Sequence, residues 1–245
     1  MKKIAYLPII VGLILIIVGI VSILTDIFII DTRRSIWISI GCSVLASGLV
    51  ILVQEIVSQT KNPIDDWGLE KIYKTRSEKN ADSDPRLYRI KDRLDVVAFG
   101  LKAFRSTHDK EINMLVEKGV MIRILTMNPD PENPFLRQRE KEECEKEGQI
   151  QKGISDLVSW AKLINDNHKR CGGRISVKGY KCMTLDFYWR MDDELYIGPY
   201  WYGLGSQQTI TYKYKKGKQG FDLYSDYFEK LWNNPENTIL LEGNS

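Results

Sequence analysis

Asp95-Val-Val-Ala-Phe-Gly-Leu101 and Val120-Met-Ile-Arg-Ile-Leu-Thr-Met127 decide the fold of this chain. Each run lacks the polar alternation of a strand with one wet face, so each reads as a strand covered on both sides. Between them Ile112, Leu115 and Val116 recur at helical spacing. Ser106 or Thr107 stands where a helix cap would sit, and Gly119 stands where a helix stops. Strand, helix, strand at this spacing predicts a parallel crossover unit.

Downstream, the three prolines between Asn128 and Pro134 predict a rigid loop. Phe135 to Gln149 is densely charged, and Ile150, Ile154, Leu157, Val158, Ala161 and Ile164 continue at helical spacing, predicting one long helix that is solvated early and packed late. Gly172-Gly173 opens a β-rich part with strands expected at 174–180, 184–190, 194–199 and 207–215. Turns are expected at Asp192-Asp193 and at Lys216-Gly217-Lys218. A final helix is expected from Phe221 to Trp232.

Upstream, Ile4 to Thr25 and Ser35 to Gln54 are uncharged, and each approaches the roughly 20 apolar residues that cross a bilayer core. They predict a two-span transmembrane helical hairpin over residues 1–60, with spans at 4–25 and 35–57. Gly12 and Gly19 on the first, and Gly41 and Gly48 on the second, would let the helices approach closely or assemble as a homo-oligomer. Lys2, Lys3, Lys61, Lys71, Lys74 and Arg76 on the terminal side outnumber Arg33 and Arg34 in the loop, where Asp26 and Asp31 offset them. That places both termini in the cytoplasm and the chain in the cell membrane. Residues 61–93 read as a juxtamembrane linker, with Trp67 near the headgroups, and a polar lead-in from Glu78 to Arg86. Residues 94–245 read as one α/β domain.

The chain of 245 residues has a formal net charge of +3. With Lys2, Lys3, Arg33, Arg34, Asp26, Asp31 and Glu55 set aside, 31 basic residues face 29 acidic ones after Thr60. This balance argues against nucleic acid as a partner. Cys42, Cys144, Cys171 and Cys182 show no C-x-x-C spacing, so neither a metal site nor a disulfide framework is signalled, and no cofactor is expected.

The order of these elements resembles one lobe of the phospholipase D-like fold. The likeness rests on Asp95 to Leu101 followed by Lys102-Ala-Phe-Arg105, on Gly119-Val120 opening Ile122-Arg-Ile-Leu125, and on Arg190-Met-Asp-Asp193 leading to Tyr196-Ile-Gly-Pro199. Tyr227-Phe-Glu-Lys-Leu-Trp232 closes it. The resemblance implies a single lobe with a mixed sheet. The family signature is H-x-K followed after four residues by Asp. If Asp193 is that aspartate, the histidine and lysine positions hold Asp186 and Tyr188; if Asp192, they hold Leu185 and Phe187. Neither alignment keeps the attacking imidazole, so no catalytic residue is assigned and the expectation leans away from an enzyme. His108-Asp109-Lys110 reproduces H-x-K but lies in a helix, where an exposed first turn is expected. His168 lies at a polar helix end, where a cation favours the helix dipole.

Ligands of open α/β sheets bind beyond the carboxyl ends of the parallel strands. That edge carries Lys102, Arg105 and Ser106 after the first strand and Asn128 after the second, and Arg105 beside a helix N-terminus suits a phosphate. Arg190, Asp192, Tyr200 and Trp201 complete the candidate ligand-binding set, the two aromatics being placed to stack on a base. The expectation is a sensor or membrane effector, on layout akin to prokaryotic antiviral effectors, that binds a phosphorylated small molecule such as a nucleotide. The alternatives are an atypical phosphodiesterase using Asp186 or Asp192 beside Arg190, and a protein-recruiting adaptor.

Overall fold

The computed structural model describes residues 7–26, 34–59, 63–143, 145–183 and 186–243. The chain divides into two units, residues 1–66 and 67–245.

The first unit contains two helices, α1 (Leu7–Asp26) and α2 (Arg34–Gln59), packed against one another. Their contact is made where side chains vanish. A Cβ on Gly48 would lie 2.9 Å from the Gly12 carbonyl oxygen, and one on Gly12 would lie 3.0 Å from Leu52, so glycine is what permits this approach. The expected transmembrane hairpin is corrected here, because among the described residues no helix is long and apolar enough to cross a membrane. Ile4 to Tyr6 lie outside those residues, α1 stops at Asp26, and α2 opens on Arg34, includes Glu55 and intersperses Gly, Ser and Gln with its aliphatics. The assignment to the cell membrane with cytoplasmic termini is corrected with it. Lys2, Lys3, Lys61 and Arg33, on which that orientation leaned, also lie outside the described residues. A short helix, α3 (Pro63–Trp67), follows.

The second unit is an α/β domain on one mixed sheet of eight strands. They are β1 (Leu69–Tyr73), β2 (Arg93–Val97), β3 (Met121–Met127), β4 (Arg174–Tyr180), β5 (Asp186–Met191), β6 (Glu194–Pro199), β7 (Thr211–Lys215) and β8 (Thr238–Glu242), in spatial order β1-β7-β6-β5-β2-β3-β4-β8. The central trio β2, β3 and β4 is parallel, and every other pairing is antiparallel. The predicted crossover unit is therefore present, in register from Arg93↔Met121 to Val97↔Leu125. Its helix α5 (Lys102–Glu117) buries Ile112, Leu115 and Val116, the stripe read from the sequence.

Helices cover both faces, as apolar strands demand. On one face, Leu94, Val96, Ile122, Ile124, Ile175 and Val177 pack with α5 and with Leu157, Ala161 and Ile164 of α7 (Gln149–Asn167). On the other, Val97, Leu125, Tyr188 and Ile197 pack with Phe221, Phe228, Leu231 and Trp232 of α8 (Gln219–Trp232).

Three expectations change. The single long helix after Pro134 is two, α6 (Pro134–Glu142) and α7, divided where Gly148 takes φ 77°. The buried Glu140 carboxylate accepts the N–H groups of Gly148, Ile150 and Gln151, satisfying donors that the start of α7 would otherwise leave open. Residues 69–89, expected as linker and polar lead-in, hold β1, α4 (Arg76–Ser83) and a 3-10 turn from Asp84 to Arg89. The strand expected from residue 207 begins at Thr211, after a 3-10 turn. Thr184 and Leu185 lie outside the described residues.

Candidate ligand-binding cavity

Beyond the carboxyl end of β2 the domain forms a solvent-open cavity of about 880 Å³. Its floor is Ala98 to Leu101. Its walls are the first turns of α5 and α7, the inward side of α4, and Phe187 and Trp189 of β5 with Tyr200 just after β6. Side chains alternate along a strand, which puts Phe187 and Trp189 on the face shared with α5 and sends Asp186, Tyr188 and Arg190 to the opposite one.

Two backbone features shape the floor. Leu101, which precedes the first turn of α5, has φ 49° and ψ 32°, a left-handed conformation that costs a branched residue roughly 1–2 kcal/mol. Gly100 lies so close to Gly153 of α7 that a Cβ there would sit 2.5 Å from the Gly153 carbonyl carbon. The loop and the helix thus touch backbone to backbone at the cavity edge. Such strain is stored where a fold over-determines a site.

Arg76, on the first turn of α4, is the central polar residue. It is 3% exposed, its guanidinium lies 4.0 Å over the Phe187 ring and 4.8 Å over the Tyr200 ring, and Nη2 donates to Thr209 Oγ1 at 3.1 Å. Nε has no hydrogen-bond partner among the described residues. Burial lowers its pKa, while Tyr200 and Glu143 favour the charge. A buried guanidinium without a carboxylate within ion-pair reach is costly unless something anionic completes it.

Four carboxylates also line the cavity, those of Asp84, Glu143, Glu145 and Asp156. Asp84 Oδ2 meets His108 Nε2 at 3.1 Å, Glu143 is bridged by Arg139 at 3.2 Å, and Asp156 is the acid whose field favours the Arg105 cation. Burial raises the pKa of Glu143 and outweighs Arg139, and burial also pushes the Tyr200 hydroxyl up to about 12. Arg105 donates Nε–H to the Gly100 carbonyl at 2.9 Å, which orients its fork at the entry to α5; burial lowers its pKa. Lys102 and Lys152 also line the cavity, as do Phe99, Phe104 and Trp189.

Of the residues expected from the sequence, Lys102, Arg105 and Tyr200 are brought together here. Ser106 is exposed, is absent from the cavity wall, and donates to the Ala103 carbonyl rather than capping the helix. Asn128 is buried in backbone bonding, its N–H on the Tyr180 carbonyl and its own carbonyl accepting from Asn133 Nδ2. Arg190 lies on the far face, its guanidinium 5.0 Å from the Phe221 ring and its Nε donating to the Asp192 carbonyl. Asp192, at φ 48°, accepts the backbone N–H groups of Lys91, Asp92 and Arg93 and so clamps the turn to β2. Trp201 is exposed and outside the wall. Of the two positions compared with the H-x-K lysine, Tyr188 stacks on Phe228 under α8 and Phe187 lies beneath Arg76.

The sequence reading missed Arg76, Asp84, His108, Lys152, Phe187 and Trp189. His108 is not in an exposed first turn: α5 kinks there (φ −116°, ψ 21°), and the ring, 13% exposed, enters the wall 5.2 Å from Phe104. Only H-x-K spacing drew notice to it. Nothing in residues 76–89 marked Arg76, because the helix that presents it has no apolar stripe. Among the described residues no group of His, Cys, Asp and Glu could hold a metal ion.

No protein-family model matches the chain, and no curated protein sequence matches it. Among solved structures it is distantly similar to TrmBL2, an archaeal chromatin protein with a novel mode of DNA binding, at 12% identity and TM-score 0.41 over 84% of this chain and 65% of that one. It is also similar to NucT from Helicobacter pylori, at 10% identity and TM-score 0.40 over 69% of this chain and 97% of that one. A third is phosphatidylserine synthase from Haemophilus influenzae Rd KW20, at 11% identity and TM-score 0.45 over 69% of this chain and 38% of that one. The chain thus spans about two thirds of the length of the first and well under half of the third. These are distant likenesses, and they do not bear on what the cavity holds.

Proposed function

We propose that the α/β unit is a degenerate phospholipase D-like lobe that binds a small phosphorylated molecule carrying an aromatic ring, a nucleotide being the fitting class, and that it serves as a ligand sensor. The observation that carries this reading is Arg76, a buried guanidinium stacked on two aromatic rings in a cavity wall, its Nε without a hydrogen-bond partner and no carboxylate in ion-pair contact with it among the described residues. Phosphate on Arg76 would supply the missing anion through charge-assisted hydrogen bonds. Lys102, Arg105 and the free N–H groups at the start of α5 would share the remaining oxygens. The partly buried rings of Phe99 and Phe104 would give a base its stacking partners. A membrane-effector role is not part of this reading, because among the described residues no helix is long and apolar enough to cross a membrane.

The test is a thermal-shift screen of the full chain against nucleotides. A ligand at about 100 times its Kd adds roughly 2.7 kcal/mol of stability, so a fitting nucleotide raises Tm by several degrees, and Arg76→Met, which keeps the apolar stem, abolishes the rise. If no nucleotide shifts the wild type, or if Arg76→Met responds like wild type, the sensor reading fails and the protein-recruiting adaptor takes its place.

One observation favours a second reading. His108 and Asp84 form an imidazole–carboxylate pair on the same wall, the arrangement that equips a histidine for proton transfer or attack. An atypical phosphodiesterase would use this pair rather than Asp186 or Asp192 beside Arg190. Hydrolysis of bis(4-nitrophenyl) phosphate by the full chain, lost in His108→Ala, would establish it; absence of turnover would leave binding as the function.

A further inference from the structure

At the opposite edge of the sheet, in the turn between α7 and β4, a second constellation is built from residues the cavity does not use. Cys171 Sγ lies 3.9 Å from His168 Nδ1, and His168 Nε2 lies 2.8 Å from Asn113 Oδ1. Asn113 is itself oriented, since its Nδ2 donates to the Asp109 carbonyl at 2.8 Å and to Asp109 Oδ2 at 3.3 Å. Asp109 is held in turn by Trp160, whose Nε1 donates to Oδ1 at 2.7 Å. The amide oxygen of Asn113 must therefore face the imidazole, which fixes the proton of neutral His168 on Nε2 and leaves the lone pair of Nδ1 toward the thiol. Glu117 Oε1 lies 3.7 Å from the same Nδ1, so carboxylate and thiol share the approach to that nitrogen.

The backbone locks this geometry. The Cys171 N–H donates to the His168 carbonyl at 2.9 Å, and a Cβ on Gly173 would lie 2.4 Å from the Val116 carbonyl oxygen, so the Cys171 turn is pressed onto the end of α5. Cys171 is a free, partly exposed thiol, flanked by the exposed Lys169 and Arg170. Thiol, imidazole and amide in this order form the Cys-His-Asn arrangement that recurs on unrelated folds to activate a nucleophilic sulfur.

We propose that Cys171, His168 and Asn113 form an activated-thiol site that undergoes exchange with small anionic disulfides. His168 Nδ1 takes the thiol proton, and the Cys171 thiolate attacks one sulfur of RS–SR. The S–S bond breaks as a new Cys171–S–SR bond forms, and the departing RS⁻ takes the proton back from His168. One thiol is consumed and one released; Cys171 is oxidised to a mixed disulfide while half of the small disulfide is reduced. Asn113 is a positioning residue that acts through the tautomer of His168.

Cys182 supplies the internal control, because it is also partly exposed and free but burial pushes its thiol up. The reduced full chain is incubated with oxidised glutathione at pH 7, and the modified cysteines are quantified by peptide mass spectrometry over time. The expected result is a mixed disulfide on Cys171 at least about tenfold faster than on Cys182. His168→Ala brings Cys171 down to the Cys182 rate, and Asn113→Ala slows it while thermal unfolding stays within a few degrees of wild type. Alkylation by iodoacetamide, followed in parallel, falls in the same variants if nucleophilicity rather than disulfide access is lost. Equal rates at the two wild-type cysteines overturn the proposal without any variant, and so does a folded Asn113→Ala chain that reacts like wild type.

Discussion

Arg123 holds the Asp95 carboxylate side-on, Nε to Oδ1 at 2.7 Å and Nη2 to Oδ2 at 2.9 Å, and with its remaining edge it holds Glu229 of α8 at 2.6 and 3.0 Å. Asp95 is 0% exposed, so this pair bolts two parallel strands to α8 from inside the domain. Removing one partner of a buried pair strands the other charge, at a cost of about 3–5 kcal/mol. Arg123→Met, which leaves the fully buried Asp95 carboxylate unpaired, is expected in that range by urea denaturation; Asp95→Leu, which leaves Arg123 its pair with Glu229, is expected to cost less, and the two combined much less than the sum of the single changes. Glu229 is more exposed, and hydrogen bonding from Arg123 holds its carboxyl below the usual range. Its contribution is therefore present above the ordinary carboxylate pKa and lost as pH falls through the depressed one. Glu229→Gln should flatten that acid limb of the stability curve.

The same network shows what the sequence made legible. β2, β3, α5 and α8 were readable because their buried positions are aliphatic or aromatic and recur with the period of the element. Asp95 and Arg123 sit inside those runs as isolated charges, and their partnership across β2 and β3 emerges only from register. In α4 the pattern inverts. Its buried residues are Arg76, Lys79 and Ser83, which keep helical spacing but are polar, so a search for apolar periodicity sees a solvated stretch. The cavity inherits this blind spot. Lys102 and Arg105 were found from their place at the strand ends and Tyr200 as an aromatic able to stack on a base, whereas Arg76, Asp84 and His108 arrive from elements that the sequence hid or from a helix kink. β1 and β8 escaped notice as edge strands, short and with several exposed side chains.

Lys79 makes the cost of that polar face measurable. Its ammonium is fully buried, 4.3 Å over Trp189 and 5.0 Å over Tyr196, with Asn80 Oδ1 at 3.3 Å. The ring faces favour the cation, as do Asp84 and Glu194, while Arg76 and Arg86 oppose it; desolvation outweighs them all and lowers its pKa to about 7. A lysine that ionises near 7 when folded and near 10.5 when unfolded destabilises the fold in full below pH 7, and the penalty fades as pH rises through that window, because only the unfolded chain then binds the proton. Lys79→Met is expected to unfold at higher urea than wild type at pH 7, with the two converging by about pH 10. A constant difference between pH 7 and pH 10 would show that Lys79 stays charged inside its ring of aromatics.

The contact between Gly100 and Gly153 yields an asymmetric pair of substitutions. Seen from Gly153, a new methyl points past the loop and meets the Gly100 Cα at 3.4 Å, an ordinary contact. Within α7 an alanine also removes the conformational freedom that makes helical glycine unfavourable by roughly 0.5–1 kcal/mol. Seen from Gly100, the methyl is driven into the backbone of α7, at 2.5 to 2.7 Å from three atoms of Gly153. Backbone cannot swing aside as a side chain does, so the helix must move away from the loop, and overpacking of this kind costs about 1–3 kcal/mol. Gly153→Ala is therefore expected to match or exceed wild-type stability and Gly100→Ala to fall below it, both read as urea midpoints at unchanged slope. The displaced helix carries Lys152 and Asp156 on the cavity wall, and the displaced loop leads into Lys102 and Arg105. Gly100→Ala should accordingly weaken nucleotide binding more than its loss of stability explains, whereas Gly153→Ala should leave binding intact. If the two variants change stability and binding alike, the loop and α7 do not hold the cavity edge in the way the backbone contact implies.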